Sequence, residues 1–424
     1  MAPKVILLDL DGTLTNTADP AFKTRKDGKE ATCPDDIPIL DGAAEFVAQL
    51  KRDGFSPAIV SDSHPRYVEP IAKQFFDIPS LSLADKPNIS KAQLFIESTF
   101  PSFELSNSMV IGDTWLDVEM ARGLGIPSVL VNLYNAVAIE ERDGIGQMWK
   151  HLKSGPTFVA SSFSEIRQII DSPEDHLSAA EGSIIGHVAK RAFKIYERKD
   201  ASGYVAFRSI GRQAVGDCDS FEIAACYAEF QRKNRSRDLI DALSRAITRY
   251  LASVKEAAPG IEWHILTHIP DKKTTQPPNK MGELASAIQC GIAKANIFAW
   301  ASEMDGTIRS CPTYGDRRKF VKDFLGMKDD ANVRGKNIVI LDDQITTAAT
   351  AHHSSALLRG AGARSILFIS PFFMTSSVTA RKICSKCGKR MQLKIRKLDG
   401  NRFYSCTPPA FRGNGCGHIE NYHE

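Results

Sequence analysis

Short apolar runs alternate with amphipathic helical segments along the first 170 or so residues of the chain. Four runs are predicted to be buried strands: residues 5–8, 58–60, 109–111 and 128–131. Ala43–Arg52 and residues 117–124 are predicted to be helices between them, and residues 158–160 and 163–170 a last strand and helix. Strands that alternate with helices form parallel sheets with helices on both faces. The sequence therefore predicts an α/β domain with a Rossmann-like sheet.

The rest of the chain predicts two further domains. Its 424 residues are too many for one ordinary core. A polar segment with a proline at 171–175 reads as a linker, after which helices near 219–231 and 236–256 and strands at 263–267, 338–341 and 365–369 indicate a second α/β domain. From Arg381 onward the chain is rich in Lys, Arg, Cys and Gly. The predicted domains are residues 1–172, 185–376 and 380–424.

Composition excludes several classes of protein. The chain lacks an apolar segment long enough to span a bilayer, so we expect no membrane partner. The first apolar run meets Asp9 too soon for a signal peptide, which favours a cytoplasmic protein. Nine cysteines in so long a chain do not suggest a disulfide scaffold, and the net charge of +4 is mild.

The segment Asp9-Leu10-Asp11-Gly12-Thr13 directly follows the first apolar run. Two carboxylates two residues apart at a strand end point in the same direction, at the sheet edge where open α/β folds bind ligands. One could attack a phosphorus atom while the other holds a proton for the leaving oxygen. Two anions would repel a phosphate, so a divalent cation is needed, and oxygen ligands of this kind suit Mg²⁺.

Further polar residues follow in an order that fits the same chemistry. Ser61 ends a predicted strand, and its hydroxyl could bind a phosphoryl oxygen. Lys86 could neutralise phosphoryl charge; Lys91 competes for this role, but the Lys-Pro pair favours Lys86. Asp113 and Asp117 follow another predicted strand, and their spacing of four places both at one side of a helix start.

This ordered set resembles the four signature motifs of the haloacid-dehalogenase-like hydrolases, over roughly the first 170 residues. The resemblance implies that Asp9 forms an aspartyl-phosphate and that Asp11 is the general acid and base. It implies that Thr13 and Ser61 orient the phosphoryl group and that Lys86 stabilises it. The implied enzyme is a phosphoric monoester hydrolase.

The same resemblance implies a magnesium site. Asp9, Asp113 and the backbone carbonyl of Asp11 would bind the ion, and Asp117 would support it. Proteins of this kind select substrates with inserted caps, but the insert between Thr15 and Ile39 is short, polar and charged. We therefore expect an open site that a large substrate such as a nucleic-acid end could reach; the alternative is that the second domain serves as the lid.

A second motif lies at residues 338–350, where an apolar strand leads into two acids, a loop of small hydroxyl residues and a helix. The loop and the helix N-terminus together form an anion site, and the acids could hold ribose hydroxyls. The motif resembles the phosphoribosyl pyrophosphate (PRPP) loop of type I phosphoribosyltransferases, most closely the competence-associated ComF group. The residues implied to bind PRPP or a nucleotide are Asp342, Asp343, Thr346, Thr347, Ala348 and Thr350.

Two neighbouring segments and two departures accompany this resemblance. Residues 315–319 lie where such proteins have a mobile loop, and residues 268–273 where they contact pyrophosphate. Ala348 stands where the family usually has glycine, and Gln344 replaces a usual apolar residue. If the backbone at Ala348 takes a positive φ, alanine costs on the order of 1 kcal/mol and tightens the approach of the phosphate.

A cysteine cluster lies near the C-terminus: Cys384, Cys387, Cys406 and Cys416. Two thiolates on a tight knuckle and two from a second hairpin predict a tetrahedral Zn²⁺ site, with His418 as a bystander. The spacing and the pair Phe403-Tyr404 resemble the zinc ribbons of type IA topoisomerases.

Basic residues surround these cysteines: Arg381, Lys382, Lys386, Lys389, Arg390, Lys394, Arg396, Lys397 and Arg402. Basic residues interleaved with aromatic ones suit single-stranded nucleic acid, whereas the simpler reading is a solvated ribbon that stabilises the fold.

Two hypotheses of different class follow. The first is a phosphatase acting on a nucleotide, sugar phosphate or nucleic-acid end, coupled to a PRPP-binding phosphoribosyltransferase-like module. The second is a regulatory protein in which the transferase-like module senses PRPP or a nucleotide and the zinc ribbon anchors the chain to nucleic acid.

Overall fold

Two six-stranded sheets carry most of the core, and a small sheet lies near the C-terminus. The structure is a computed structural model. It describes residues 4–17, 20–101, 103, 108–133, 151–201, 203–213, 224–232, 234–271, 279–302, 308, 311, 314–375, 384–388, 391–395, 402–406 and 415–421.

The first sheet is parallel throughout, in the order β3-β2-β1-β4-β5-β6. Its strands are β1 (Lys4–Leu8), β2 (Phe55–Val60), β3 (Ser80–Leu81), β4 (Met109–Gly112), β5 (Ser128–Val131) and β6 (Phe158–Ala160). Leu8 on β1 is level with Ile59 on β2 and Ile111 on β4. The residues that follow these three strands therefore meet at one edge of the sheet.

Helices cover both faces of this sheet. They are α1 (Lys23–Lys26), α2 (Ala43–Arg52), α3 (Pro65–Ile71), α4 (Ser90–Thr99), α5 (Trp115–Leu124) and α6 (Phe163–Asp171), with short 3-10 helices at Pro20–Phe22 and Pro34–Asp36 and a π-helical turn at Ala72–Phe76. Alternate residues of β1 face opposite sides, so Leu8 shares one apolar core with Val47 of α2, and Leu7 shares the other with Ile96 of α4. The predicted parallel α/β sheet with two covered faces is confirmed.

The second sheet has the order β11-β10-β14-β16-β8-β7. Its strands are β7 (Phe193–Asp200), β8 (Gly203–Ser209), β10 (Ile265–His268), β11 (Ala293–Lys294), β14 (Asn337–Leu341) and β16 (Ser365–Ser370). Only β7 runs antiparallel, as a hairpin with β8, and the sequence patterns above did not identify this hairpin.

Smaller elements complete this region. A parallel sheet joins β9 (Arg212–Gln213), β15 (Gln344–Ile345) and β17 (Phe372–Met374), and β12 (Phe298–Trp300) pairs antiparallel with β13 (Leu325–Met327). The helices are α7 (Ala179–Ile184), α8 (Ala224–Phe230), α9 (Arg237–Ala257), α10 (Lys280–Ala287), α11 (Tyr314–Phe324) and α12 (Ala349–Gly360). The first part of the helix predicted at 219–231 lies outside the described residues.

The two α/β regions share an apolar core. Val118 and Leu152 share one apolar core with Phe193 and other residues of the second sheet. The guanidinium of Arg212, which is buried, pairs with Glu181 at 2.9 Å and donates to the carbonyl of Gly155 at 2.8 Å. The segment predicted as a linker overlaps a 3-10 helix at Pro173–His176. The domain boundaries stay predictions.

The C-terminal sheet is antiparallel. Its strands are β18 (Gln392–Ile395), β19 (Arg402–Ser405) and β20 (Ile419–Asn421). Its small core contains Cys384, Met391, Tyr404 and Cys406. Among the helices of the described residues, none combines the length and the apolar composition needed to cross a bilayer.

Candidate active site and metal centres

The loop after β1 holds Asp9 at the sheet edge. The Asp9 amide donates to the carbonyl of Ile111 at 2.9 Å, and the residue is only 7% exposed. Gly12 turns the chain with a φ of +81°, and a Cβ there would lie 2.1 Å from Oδ2 of Asp113. The loop therefore needs glycine at this position for two reasons, conformation and close approach.

Three carboxylates gather beside this loop. Oxygen atoms of Asp9, Asp113 and Asp117 lie within 4.8 Å of one another, a spacing that could hold a metal ion. The β4 end approaches them closely, since a Cβ on Gly112 would lie 2.2 Å from Cγ of Asp117. Oδ2 of Asp117 accepts from both the amide and the hydroxyl of Thr114, which fixes the first turn of α5. Hard oxygen donors of this kind fit a divalent cation.

Lys86 joins two of these acids. Its Nζ lies 2.7 Å from Oδ1 of Asp9 and 2.6 Å from Oδ1 of Asp117, and the side chain is 4% exposed. Oδ1 of Asp62 accepts from the Lys86 amide at 2.8 Å, a contact that the sequence did not indicate. Burial disfavours the ammonium, but the attraction of Asp117, Asp9 and Asp62 outweighs it, so the pKa of Lys86 is raised. Lys91 instead is exposed and donates to the carbonyl of Leu83.

One lysine does not neutralise three neighbouring acids, of which Asp9 and Asp117 are buried. Burial raises the pKa of Asp9 well above its usual range, with Lys86 opposing and Asp117 and Asp113 adding to the rise. Burial and the charge of Asp117 raise the pKa of Asp113 to about 7. Ionisation of these two acids is therefore disfavoured in the folded chain, and a divalent cation would favour it.

The Asp11 carboxylate is not part of the gathered acids. Oδ1 of Asp11 accepts from Thr17 Oγ1 at 2.6 Å and from the hydroxyl of Tyr67 at 3.0 Å, and Oδ2 accepts from Ser63 Oγ at 2.8 Å. Burial and the charge of Asp11 raise the pKa of Tyr67, so its hydroxyl remains a donor. Asp11 thus differs from Asp9 in environment. The backbone carbonyl of Asp11 as a ligand of the metal stays a prediction.

Thr13 and Ser61 are both buried beside the loop. Oγ1 of Thr13 makes no hydrogen bond with any described residue. Oγ of Ser61 accepts from the amide of Ser63 at 3.1 Å, and the Ser61 amide donates to the carbonyl of Leu81. Both hydroxyls keep the capacity to donate a further hydrogen bond. Their contact with a phosphoryl oxygen stays a prediction.

Residues 18–125 match the family model of the haloacid dehalogenase-like hydrolases. The matched range includes Ser61, Lys86, Asp113 and Asp117, and Asp9 and Asp11 lie just before it. The N-terminal part of the chain contains a haloacid dehalogenase-like hydrolase domain. A comparison with curated proteins gave no match.

Solved structures with similarity to this hydrolase domain cover about 40% of the chain. A predicted phosphoglycolate phosphatase from Haemophilus somnus is 16% identical, over 40% of this chain and 98% of that one, with a TM-score of 0.29. The D,D-heptose 1.7-bisphosphate phosphatase of B. bronchiseptica, complexed with magnesium and phosphate, is 16% identical over 40% and 99%, with a TM-score of 0.29. A Had-superfamily hydrolase from Ehrlichia chaffeensis is 16% identical over 41% of this chain and 98% of that one, with a TM-score of 0.28.

Outside the hydrolase domain, Asp342 and Asp343 follow β14, where sequence analysis placed a ligand loop. Burial and the neighbouring Asp343 raise the pKa of Asp342 well above its usual range. Nζ of Lys280 lies 2.8 Å from Oδ2 of Asp343 and 3.3 Å from Oδ1 of Asp271. Nothing in the sequence pointed to Lys280, because it lies more than sixty residues before the acids, at the start of α10.

The loop itself carries Thr346, Thr347, Ala348 and Thr350 between β15 and the first turn of α12. Ala348 has a φ of +58°, so the condition under which alanine is strained at this position is met. Nη1 of Arg317 donates to Oγ1 of Thr346 at 3.0 Å. The segment 315–319 was expected as a mobile loop, but it belongs to α11, and its helical backbone is what aims Arg317 at Thr346. Lys272 and Lys273 lie outside the described residues.

The four predicted cysteine ligands come together. The Sγ atoms are 3.6 Å apart for Cys384 and Cys416 and 3.4 Å apart for Cys387 and Cys406, and all four lie within 4.8 Å of one another. Gly388, with a φ of +66°, donates its amide to the carbonyl of Cys384 and closes the knuckle. These separations are too long for disulfides and fit four ligands around one metal ion. Nε2 of His418 lies 3.4 Å from Oε1 of Glu420.

Of the basic residues around the cysteines, Lys386 is exposed, and Lys394 and Arg402 lie on β18 and β19. The others fall outside the described residues: Arg381, Lys382, Lys389, Arg390, Arg396 and Lys397. Binding of nucleic acid by this tail stays a prediction.

Replacing Asp113 by Asn is expected to raise the thermal midpoint of the metal-free protein at pH 8, by roughly 3 °C. The pKa of Asp113 is about 7 in the folded chain, against 3.8 ordinarily. The folded state thus holds this proton more tightly, and its stability falls as the pH rises from 3.8 to about 7. Thermal melts in a chelator measure the difference, with exposed Asp77→Asn as control. Added divalent cation should stabilise the parent more than the variant; equal midpoints at pH 8 would contradict the argument.

Proposed function

We propose that the hydrolase domain is a Mg²⁺-dependent phosphatase that acts through an aspartyl-phosphate on Asp9. The observation that carries this proposal is the contact of the Lys86 ammonium with Asp9 and Asp117, beside Asp113. A carboxylate held between a fixed cation and a metal-binding group can approach a phosphate that it would otherwise repel.

In the proposed reaction, an oxygen of Asp9 attacks the phosphorus atom and the bond to the leaving oxygen breaks. Asp11 gives the proton that the leaving oxygen takes up, and then removes a proton from the water that hydrolyses the aspartyl-phosphate. The hydroxyls of Thr17, Ser63 and Tyr67 hold the Asp11 carboxylate in place for both steps. Lys86 stabilises the phosphoryl oxygens, and Thr13 and Ser61 orient them.

The proposed Mg²⁺ site consists of Asp9, Asp113 and the backbone carbonyl of Asp11, with Asp117 in support. Bound there, the ion would offset the repulsion between the acids and the phosphate and polarise the phosphoryl group. Asp117 is shared with Lys86, so one side chain links the metal site to the phosphoryl-binding lysine.

The proposed substrate is a phosphorylated small molecule or a nucleic-acid end. The insert after Thr17 contains only short helices among the described residues, which favours access from that side. Asp9 is nevertheless well buried, so the phosphate must reach it on a narrow terminal group. A terminal phosphate on a sugar or on an oligonucleotide end has this shape.

Asp9→Asn should lower the hydrolysis of phosphate monoesters by roughly 10³-fold or more, because the amide cannot form the covalent intermediate. A screen of nucleotides, sugar phosphates and end-phosphorylated oligonucleotides in Mg²⁺ measures this. Asp77→Asn, at an exposed position, is the matched control. Equal rates for Asp9→Asn and the parent would refute Asp9 as the nucleophile.

We propose further that the second sheet forms a PRPP- or nucleotide-binding module. The loop of Thr346, Thr347 and Thr350 lies at the start of α12, where amides point toward an anion. Arg317 adds positive charge beside Thr346 of the loop, and Lys280 adds positive charge beside Asp343. Asp342 and Asp343 would hold the ribose hydroxyls.

Ala348→Gly is expected to stabilise the chain by about 0.5–1 kcal/mol, because glycine adopts a positive φ without strain. It should also raise PRPP affinity, since it removes a methyl group from the loop that the phosphate approaches. Denaturant unfolding and calorimetric titration measure the two effects. Ala349→Gly, the same deletion one residue into the helix, should instead lower stability. No heat of PRPP binding in parent or Ala348→Gly would remove this proposal.

A specific contact favours the sensing hypothesis for this module. Nζ of Lys153 donates to the carbonyl of Met374 at 2.7 Å. Phe373, the residue before Met374, is paired with Ile345, the residue before Thr346 of the loop. Burial and the Arg317 guanidinium lower the pKa of Lys153 to about 7. A change in phosphatase rate on adding PRPP would support sensing, whereas release of pyrophosphate with an acceptor would support catalysis.

We propose that the C-terminal cysteines bind one Zn²⁺. Four sulfurs placed 2.3 Å from a common ion in a tetrahedron are about 3.8 Å apart, close to the separations found here. The ion would supply much of the stability of a sheet whose apolar core is small.

Metal analysis of the purified chain should give one zinc per molecule, and Cys384→Ser should lower this content. His418→Ala is the matched control and should retain the metal, because His418 contacts Glu420 and the four sulfurs complete the shell. Retention of a full zinc equivalent by Cys384→Ser, or loss in His418→Ala, would contradict this ligand set.

A further inference from the structure

The insert between Thr17 and Ile37 brings a cation to the proposed active site. Nζ of Lys26, at the end of α1, lies 3.1 Å from Oδ1 of Asp11 and also donates to the carbonyl of Thr17. The Lys26 side chain is 21% exposed, so it is partly accessible to solvent beside Asp11.

The insert holds this lysine in a defined place. The amide of His64, which precedes α3, donates to the carbonyl of Lys26 at 2.8 Å. Gly28 packs on the same residue, since a Cβ there would lie 2.4 Å from Cγ of the His64 ring. Glu30 closes the insert by accepting from Thr24 at 2.8 Å and from Arg25 at 3.3 Å. Lys26 is therefore fixed at its backbone and only its side chain is adjustable.

The position of Lys26 relative to the reacting atoms follows from the proposed function, on which this inference rests. Asp11 gives its proton to the leaving oxygen, so that oxygen lies within hydrogen-bonding distance of the Asp11 carboxylate. With Lys26 3.1 Å from Asp11, its ammonium lies within roughly 6–8 Å of the leaving oxygen. That is the space occupied by the first few atoms of the leaving group.

Asp11 does not depend on Lys26 for its hydrogen bonds. Both carboxylate oxygens already accept from hydroxyls, those of Thr17 and Tyr67 on one and of Ser63 on the other. A partly exposed ammonium on a flexible stem can exchange one anion for another at small cost.

The other basic side chains of the insert have different partners. Arg25 lies beside Glu30 and Asp36, and Lys29 lies 2.9 Å from Asp27. Among the described ion pairs, only that of Lys26 connects the insert to the acids of the site. Lys29, which pairs with Asp27, is therefore a matched control for Lys26 within the same segment.

We propose that Lys26 is a specificity residue that binds a second anionic group on the leaving group of the substrate, a carboxylate or a phosphate. A substrate that bears only the scissile phosphate leaves this ammonium with Asp11. A substrate with a second anion a few atoms away takes up the ammonium and gains a charge-assisted hydrogen bond. An acidic metabolite and an oligonucleotide end, whose neighbouring phosphodiester is also an anion, both carry this chemistry.

The test compares kcat/KM for matched substrate pairs in the full chain. One pair is 2-phosphoglycolate and 2-hydroxyethyl phosphate. The other is a 3′-phosphorylated dinucleotide with a phosphodiester or an uncharged methylphosphonate linkage. The parent should prefer the charged member of at least one pair, and Lys26→Gln should reduce that preference about tenfold, with Lys26→Arg restoring much of it. The kcat/KM of the uncharged member reports the effect of losing the contact with Asp11, because only that member leaves the ammonium there.

Lys29→Gln should keep the preference of the parent. The pair that responds to Lys26→Gln identifies the source of the second anion, small metabolite or nucleic-acid end. If the parent hydrolyses both members of each pair in an Asp9-dependent manner but the ratio is the same in Lys26→Gln, the phosphatase stands and the role of Lys26 is refuted. If no substrate is hydrolysed in an Asp9-dependent manner, the proposed function fails and this inference fails with it.

Discussion

The arrangement of the hydrolase domain depends on one buried contact, that of the Lys86 ammonium with Asp9 and Asp117. Two buried carboxylates so close together would repel each other strongly without a cation between them. Lys86 brings one positive charge, and Asp113 adds a third acid. The folded chain is therefore left with a deficit of positive charge at one place. Burial raises the pKa of Asp9 and Asp113, and the charge of the neighbouring acids raises both further. A divalent cation fits there because it would offset that charge.

Sequence reasoning located this site because the topology of a parallel sheet limits where strand ends can lie. Asp9, Ser61 and Asp113 each follow a short apolar run, and a parallel order places all three at one edge. It could not find the contacts of Asp11, because Tyr67 and Lys26 reach it from segments whose folding depends on packing between helices. The same holds for Lys280, which meets Asp343 across a long loop closure. Residues 315–319 were misread as a loop because their charge pattern is also that of an exposed helix face.

Two positions of positive φ, Gly12 and Ala348, differ in whether the backbone requires glycine there. Gly12 is required, since any side chain would meet Asp113 as well as strain the backbone. Ala348 takes the same region of conformational space without a glycine, and the loop tolerates the strain because strand β15 and helix α12 fix it from both sides. Alanine in place of the usual glycine at 348 thus adds backbone strain, but the positive φ of this position is kept.

The segment 153–156 is held from both modules at once. Arg122, on the same helix as Asp117, donates to the carbonyls of Ser154 and Gly155, and Arg212 from the second region donates to Gly155 as well. Lys153, in the same segment, donates a hydrogen bond to the carbonyl of Met374 in the second region. A ligand bound at the loop of Thr346, Thr347 and Thr350 could alter the hydrolase site through this segment. It would do so only if the protein bound it with different affinity in two arrangements of the segment. Arg122 and Arg212 donate to the same carbonyl, so a displacement of Gly155 would weaken a buried contact with the helix of Asp117 and one with the second region at once.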